Sequence, residues 1–156
     1  IVGVSRSGKA QEGIYDEVYP ISELDEVLKA AKILVMALPG TAETIGILSR
    51  ERIALLPPDA YVINVGRGTA IDQDALMEAL NGGKLAGAAL DVMDPEPLPQ
   101  DHPLWETKNL ILTPHVSGNM TLGYTRNENV RLFCEDLKNY AAGRPLNGYV
   151  DRKRGY

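Results

Sequence analysis

The chain has 156 residues, of which 44% are apolar and 24% charged, the balance of an ordinary globular domain, which excludes an intrinsically disordered chain. Twenty-one acidic side chains against sixteen basic ones give a formal net charge of −5, which argues against a nucleic-acid or anionic-membrane partner because such partners favour a basic surface. The strongest apolar run, residues 33–38, is too short to cross a bilayer.

Candidate strands and helices alternate along the chain. Apolar runs closed by polar residues, Gly or Pro predict five strands, at residues 1–5, 33–38, 60–65, 85–90 and 110–113. Helical spacing and capping residues predict four helices, at residues 22–31, 49–56, 72–81 and 121–142. Units this short imply right-handed βαβ crossovers, and therefore an α/β fold with a doubly wound, mostly parallel sheet.

Local signals set the expected ends of the helices. Ser22 and Asp25 have the spacing of a capping box, and Ser49 and Asp72 are residue types that cap helices. The last helix has an apolar stripe that we expect to be its inner face: Val130, Phe133, Leu137 and Ala141.

The residues that follow the strands point to a site. In parallel sheets of this kind, the ligand site forms at the carboxyl ends of the strands. Five polar or glycine-rich turns come directly after the five strands: Ser5-Arg6-Ser7, Pro39-Gly40-Thr41, Gly66-Arg67-Gly68, Asp91 and Pro114-His115. Their convergence predicts a site at one edge of the sheet.

The first turn has two functional interpretations. Residues 3–10 nearly match the phosphate-binding pattern GxxxxGK[ST], but Ala10 stands where a Mg²⁺-binding hydroxyl is needed, so a nucleotide hydrolase is disfavoured. In a dinucleotide-binding fold, an Arg such as Arg6 accommodates the 2′-phosphate of NADP, whereas an acid would bind the ribose of NAD. The alternative for Arg6 is a solvated surface residue.

Two residues have the chemistry of a catalytic site. Arg67 lies between two glycines after a buried strand, where its guanidinium offers a rigid fork for a carboxylate. His115 is suited to proton transfer near neutral pH. The alternatives are a solvated turn Arg and a structural His. His102 has no strand end behind it and is interpreted as a surface residue.

The acidic loop at residues 91–97 and the cysteine content give weaker signals. The loop offers oxygen ligands, but its prolines and missing glycine do not suit a calcium loop, and the two histidines lack metal-ligand spacing, so no metal site is expected. Two interpretations of the loop stay open: it is either a stiff arm that directs Glu96 at a neighbouring residue, or an acidic loop exposed to solvent. Cys134 is the one cysteine, which predicts a reducing compartment, the cytoplasm.

Four motifs, in this order along the chain, resemble the signature of the D-isomer-specific 2-hydroxyacid dehydrogenases. They are LPGTAET at residues 38–44, VINVGRGTAID at 62–72, GAALDVMDPEPLP at 87–99 and TPHVSG at 113–118. The resemblance implies a Rossmann-type dinucleotide-binding domain at residues 1–142. It also implies an enzyme similar to glyoxylate/hydroxypyruvate reductases, which transfers a hydride between a nicotinamide cofactor and a D-2-hydroxy acid or 2-keto acid.

The same resemblance implies a role for each matching residue. Arg67 would bind the substrate carboxylate and polarise the carbonyl, His115 would be the general acid/base, and Glu96 would orient His115. Asp91 would hold the nicotinamide carboxamide. Together with Arg67 and His115, the dinucleotide is expected to contact Ser5, Arg6, Ser7, Pro39, Thr44, Val65, Gly66 and Gly118. Arg6 favours NADP, with NAD also open.

One expected motif is missing from the chain. The family has a GxGxxG loop after the first strand of its dinucleotide domain, and no GxGxxG occurs here. We therefore expect that the first strand, its glycine-rich loop and most of the substrate domain precede Ile1, and that residues 143–156 return towards that domain. We also expect this chain alone to be inactive and to bind dinucleotide weakly, and the complete enzyme to be a homodimer.

Two other functions stay open. S-adenosylhomocysteine hydrolase and alanine dehydrogenase have related dinucleotide domains, and some relatives of the dehydrogenases are corepressors that bind dinucleotide without catalysis. The presence of Arg67, Glu96 and His115 together favours a dehydrogenase. The residues do not name the 2-hydroxy acid.

Overall fold

The computed structural model describes residues 1–9, 13–118, 120 and 122–152. Within them the strands are β1 (Val2–Ser5), β2 (Glu17–Pro20), β3 (Ile33–Met36), β4 (Tyr61–Asn64), β5 (Gly87–Leu90) and β6 (Leu110–Leu112). The α-helices are α1 (Leu24–Leu28), α2 (Arg50–Leu55), α3 (Gln73–Asn81) and α4 (Gly123–Ala141), and 3₁₀ turns form at Ile21–Glu23, Gly68–Ala70 and Pro103–Glu106. The expected alternation of strands and helices is confirmed.

In the part of the chain that the structure describes, all the strand pairs are parallel and they form two sheets. β1 pairs with β2, and β3, β4, β5 and β6 form a four-stranded sheet in that order. The last residues of the four strands lie side by side across this sheet: Met36, Asn64, Leu90 and Leu112. Four of the five predicted turns therefore leave from one edge, whereas Ser5-Arg6-Ser7 follows β1 in the two-stranded sheet.

The core lies between the four-stranded sheet and the helices α1, α2 and α3. Val62 on β4 and Leu76 on α3 are fully buried, and Leu28, Leu56 and Leu80 are almost as deeply buried. Each buried side chain of this size contributes roughly 1.5–3 kcal/mol relative to exposure. None of the helices in the described ranges combines the length and hydropathy that a bilayer crossing needs.

Two predicted helix caps are present and one is wrong. The Ser49 side chain accepts from the Arg52 N–H, and the Asp72 side chain accepts from the Ala75 N–H. Ser22 instead lies in a 3₁₀ turn, and α1 begins after Glu23 without a side-chain cap. The capping-box spacing failed because the chain makes this tighter turn before the helix begins. Ala10 and Thr121, on which two expectations depended, lie outside the described residues.

The sequence did not predict β2. It begins with the charged Glu17 and ends with Pro20, so Val18 and Tyr19 between them are too short an apolar run to indicate a strand. The strand forms because it pairs with β1, from Val2 opposite Glu17 to Ser5 opposite Pro20. Pairing with a neighbouring strand, which no local pattern shows, decides this element.

The apolar stripe of α4 is not an inner face, contrary to the prediction. Val130, Phe133 and Leu137 are 53%, 69% and 54% exposed, and no described residue of α4 is buried. Helical spacing indicates that an apolar stripe exists but not what covers it. After α4, the Asn147 and Gly148 N–H groups donate to the Asp136 carboxylate, so the described part of the tail folds back on the helix.

Candidate active site

The turn after β4 is shaped by a buried amide. Asn64 is 1% exposed, its Oδ1 accepts from the Gly66 N–H at 3.0 Å, and its Nδ2 donates to the Arg67 carbonyl at 2.9 Å. The side chain thus satisfies the polar backbone groups of the tight turn that presents Arg67. Asn64 was not among the residues predicted to form the site, although it is a polar residue at the end of an apolar run.

The two glycines beside Arg67 allow neighbouring turns to pack closely. A Cβ at Gly66 would lie 2.7 Å from the backbone N and O of Leu38, and a Cβ at Gly68 would lie 2.0 Å from the Met93 carbonyl oxygen. Both distances are well inside van der Waals contact. Contact with the protein's own backbone therefore accounts for glycine at both positions.

Arg67 reaches out of this turn at the site edge. Its Nη1 donates to the Gly66 carbonyl at 2.7 Å, and its aliphatic stem passes beside Gly40, where a Cβ would lie 3.2 Å from the Arg67 Cγ. The Arg67 charge also helps to lower the pKa of the Glu96 carboxyl. The guanidinium is therefore within electrostatic range of the acidic loop.

Glu96 links the acidic loop to His115. Its Oε1 accepts from the Met93 N–H at 2.8 Å, and its Oε2 lies 2.8 Å from the His115 Nδ1. Burial raises the pKa of Glu96, but the hydrogen bonds from His115 and Met93, together with the Arg67 charge, outweigh it and leave the pKa below its ordinary value. A carboxylate acceptor places a proton on Nδ1, which leaves Nε2 as the second nitrogen of the ring for other contacts.

The backbone of His115 is held in an unusual conformation. Its φ is 54°, in the left-handed region, and its N–H donates to the carbonyls of Asp91 at 2.9 Å and Thr113 at 3.0 Å. The imidazole is about half exposed, with 48% of the side chain accessible. The turn after β6 thus holds the ring at the surface, beside the loop that carries Glu96.

Asp91 is a buried acid, 5% exposed, directly after β5. Its Oδ1 accepts from the Val116 N–H at 2.9 Å and from the Thr113 hydroxyl, and its Oδ2 accepts from the Ser117 N–H at 2.8 Å. Burial raises the pKa of Asp91, but these hydrogen bonds outweigh it and leave the pKa far below its ordinary value. Asp91 is therefore ionised.

The remaining positions expected to line a dinucleotide differ in their surroundings. The Thr44 hydroxyl donates to the Pro39 carbonyl at 2.6 Å and accepts from the Thr41 N–H, so it closes its own turn. The Ser5 hydroxyl closes a turn with Lys9 in the same way. Pro39 is half-buried and Gly66 is buried, whereas the other positions are exposed: Arg6, Ser7, Val65 and Gly118.

His102 has a structural role in the 3₁₀ turn before β6. His102 is half-buried, and its Nδ1 accepts from the Leu104 N–H at 3.2 Å, so it caps the 3₁₀ turn and is more than the surface residue expected. In the described ranges, no group of His, Cys, Asp and Glu is arranged to hold a metal ion.

The curated relatives of this chain include proteins named glyoxylate/hydroxypyruvate reductase A. Glyoxylate/hydroxypyruvate reductase A of Klebsiella pneumoniae (strain 342) is 43% identical over 136 residues, which is 86% of this chain and 42% of the relative. The reductase of the same name from Salmonella newport (strain SL254) is 39% identical over 153 residues, 97% of this chain and 47% of the relative. The chain therefore spans about half the length of the curated relatives it matches.

Solved structures of similar fold include a D-isomer specific 2-hydroxyacid dehydrogenase and a glyoxylate/hydroxypyruvate reductase. A D-isomer specific 2-hydroxyacid dehydrogenase from Xanthobacter autotrophicus Py2, in complex with NADPH and MES, is 38% identical with a TM-score of 0.82, over 99% of this chain and 62% of that one. An NADPH-dependent glyoxylate/hydroxypyruvate reductase from Sinorhizobium meliloti was solved in complex with NADP and sulfate. It is 32% identical with a TM-score of 0.83, and the match covers 99% of this chain and 49% of that one.

The family match covers the site described above. The model of the family described as D-isomer specific 2-hydroxyacid dehydrogenase, NAD binding domain, matches residues 1–117. That range contains all six strands of the described structure and the cluster of Arg67, Glu96 and His115. Because 117 of its 156 residues match, this chain belongs to the D-isomer specific 2-hydroxyacid dehydrogenase family through its NAD-binding domain.

Proposed function

We propose that this chain carries the catalytic groups of an NAD(P)-dependent oxidoreductase that interconverts a small 2-keto acid and a D-2-hydroxy acid. The observation that carries the proposal is the 2.8 Å contact between Glu96 and His115, at the sheet edge from which Arg67 also projects. Together these residues provide a cation for a carboxylate, a proton donor for an oxygen and a carboxylate that orients the donor.

The residues fit the nicotinamide end of a dinucleotide. Val65 is 39% exposed at the edge, and nothing lies within 4 Å of the Cβ position of Gly118, so a flat ring has access beside Arg67 and His115. The nicotinamide, when bound, supplies or accepts the hydride. The chain contains no GxGxxG for the pyrophosphate, which supports weak dinucleotide binding by these 156 residues alone.

Each of the three side chains has one task in the reducing direction. Arg67 holds the substrate carboxylate by two parallel hydrogen bonds and places its charge near the carbonyl. His115, protonated on both nitrogens, gives the Nε2 proton to the oxygen that becomes the hydroxyl, and its Nδ1–H stays bonded to Glu96. General acid catalysis of this kind contributes roughly 10²–10⁴-fold in rate.

NADP is proposed as the preferred cofactor, and the supporting feature is Arg6. This exposed cation follows β1, where a 2′-phosphate is recognised in dinucleotide-binding folds. The similar structures from Xanthobacter and Sinorhizobium contain NADPH and NADP, respectively.

Glyoxylate and hydroxypyruvate, which the relatives' names contain, are the first substrates to test. A homodimer in the cytoplasm completes the proposal, and the one cysteine, Cys134, supports the reducing compartment.

The proposal is tested by turnover of the complete enzyme with each keto acid and with NADPH or NADH. We expect a higher kcat/KM with NADPH, and a His115→Ala variant that loses roughly 10²–10⁴-fold in kcat because the proton donor is gone. The matched control is His102→Asn, which keeps an acceptor for the Leu104 N–H and should leave turnover unchanged. Near-normal turnover of His115→Ala would refute the mechanism, and dinucleotide binding without any turnover would favour a corepressor.

A further inference from the structure

Gln73, the first residue of α3, is bonded to the acidic loop that carries Glu96. Its side-chain Nε2 donates to the Asp94 carbonyl at 2.5 Å, and its Oε1 accepts from the Asp94 N–H at 3.0 Å. One amide side chain therefore pairs with both polar backbone groups of a residue 21 positions further along the chain. Two residues of neighbouring antiparallel strands exchange the same pair of bonds, and here the pair holds a loop outside the strands.

The loop is fixed at two consecutive N–H groups, of which one ends on Glu96. The Met93 N–H donates to the Glu96 Oε1 at 2.8 Å, and the Asp94 N–H donates to Gln73. The Met93 backbone also packs against Gly68, where a Cβ would lie 2.0 Å from the Met93 carbonyl oxygen. The peptide that joins Met93 to Asp94 is thus held by packing against Gly68 and by the hydrogen bond to Gln73.

The start of α3 is a firm base for the Gln73 side chain. The Asp72 N–H donates to the Leu48 carbonyl at 3.0 Å, and the Asp72 carboxylate accepts from the Ala75 N–H at 2.9 Å. Ala75 and Leu76 are buried, and Gln73 itself is half-buried. A side chain on an anchored helix end positions its partner more precisely than a side chain on a loop.

These contacts connect α3 to the imidazole of His115. Gln73 holds Asp94, and Glu96, two residues further along the same loop, lies 2.8 Å from the His115 Nδ1. We infer that Gln73 is a positioning residue, which fixes the acidic loop so that the Glu96 carboxylate stays directed at His115; this inference rests on the proposed function. The competing role for Gln73 is stabilisation of the fold alone, and the two roles differ in their kinetics.

Gln73→Ala in the complete enzyme should lower kcat. Without the two hydrogen bonds the loop loosens, and we expect a fall of about 10-fold to 10²-fold, since a misplacement of about 1 Å costs about 10²-fold. KM for the keto acid should stay within about twofold, because Arg67 remains in the turn that Asn64 holds. Gln100→Ala, which removes the same amide from an exposed position after the loop, should leave kcat unchanged. An unchanged kcat in Gln73→Ala, or equal losses in the two variants, would overturn the inference.

A second background separates positioning from stabilisation of the fold. A Glu96→Ala enzyme has no carboxylate to direct, so adding Gln73→Ala to it should change kcat by less than about twofold. A role in stability alone would lower kcat by the same factor in both backgrounds, and that result would overturn the inference. Gln73→Leu keeps most of the side-chain volume but pairs with neither group of Asp94, so it should match Gln73→Ala. Wild-type kcat in Gln73→Leu would show that the hydrogen bonds do not position the loop.

Amide hydrogen exchange distinguishes this inference from the proposed function, because it needs no turnover. In the complete enzyme, the Asp94 amide should be protected and should exchange about tenfold faster in Gln73→Ala, which lacks its acceptor. The Ala88 amide, which donates to the Asn109 carbonyl, should not change. If the wild-type enzyme shows no turnover, the proposed function fails while exchange still tests the hydrogen bonds. Equal exchange of the Asp94 amide in both proteins would overturn the inference itself.

Discussion

At the scale of single residues, Glu96 joins two parts of the site. One carboxylate oxygen accepts from the Met93 N–H of its own loop, and the other contacts the His115 ring. The direction of the imidazole is therefore tied to the backbone of the acidic loop. Because the pKa of Glu96 is lowered, the residue keeps its negative charge as the pH falls into the mildly acidic range.

The ionisation of Glu96 predicts a pH dependence. Its pKa is lowered from 4.5, so the stability that its contacts contribute is present above that pH and is lost as the pH falls through the lowered value. Protonation of Glu96 should lower kcat/KM at acidic pH, and we expect this decrease, the acid limb of the pH profile, to lie below pH 4.5. The Glu96→Gln enzyme should lack this acid limb. Removing the charge beside the imidazole should also lower kcat by roughly 10²-fold.

The pH series needs a control for the loss of an acid. Glu106→Gln, at an exposed position in the 3₁₀ turn before β6, removes a charge outside the site and should keep the wild-type profile. A Glu96→Gln enzyme with wild-type kcat, or a limb assigned to Glu96 between pH 5 and 7, would contradict the proposed role of the carboxylate.

At the scale of elements, the site is made by turns that pack against one another. Gly68, which opens the 3₁₀ turn after β4, touches the backbone of Met93 after β5, and the Met93 N–H donates to Glu96. The position of the turn that carries Arg67 is thus transmitted to Glu96 through backbone contact. Interiors packed at this density do not absorb an added methyl group locally.

Gly68→Ala tests this coupling between turns. The new Cβ would lie 2.0 Å from the Met93 carbonyl oxygen, so one turn must move. We expect a loss of about 1–3 kcal/mol in the free energy of unfolding and a lower kcat, because Glu96 moves with Met93. Gly123→Ala is the control, since its Cβ has open space at the start of α4 and should leave both quantities unchanged. A fully active and stable Gly68→Ala enzyme would exclude the coupling.

The sequence predicted those elements that local chemistry determines. The Ser49 and Asp72 caps are visible as residue types, and Arg67 and His115 could be selected because each follows a buried strand. The orientation of Glu96 depends on a contact with a turn 19 residues away, which no local pattern contains. The residues alone left a stiff arm and a solvated loop as alternatives, and the family resemblance favoured the contact with His115. β2 and the covering of α4 likewise depend on what lies beside them, which spacing does not encode.

At the scale of the whole molecule, apolar side chains of β3 and α4 face solvent. On β3, an outer strand of the four-stranded sheet, Ile33 and Val35 are 64% and 59% exposed. On α4, Tyr124, Phe133 and Tyr140 are 82%, 69% and 75% exposed. An outer strand with apolar side chains and unpaired backbone groups is a template for pairing with another chain.

We therefore expect the 156-residue chain, studied alone, to self-associate in proportion to its concentration through β3. Sedimentation velocity should show larger species as concentration rises, and Ile33→Lys should shift the population towards monomer, since a charge on an outer strand opposes pairing. Ile45→Lys is the matched control, because Ile45 is also 64% exposed but lies in a turn outside the strands, and it should not change the association. Phe133→Ser tests α4 independently, and its effect relative to Ile33→Lys measures how much each surface contributes. A wild-type chain that stays monomeric at every concentration would show that neither surface is adhesive.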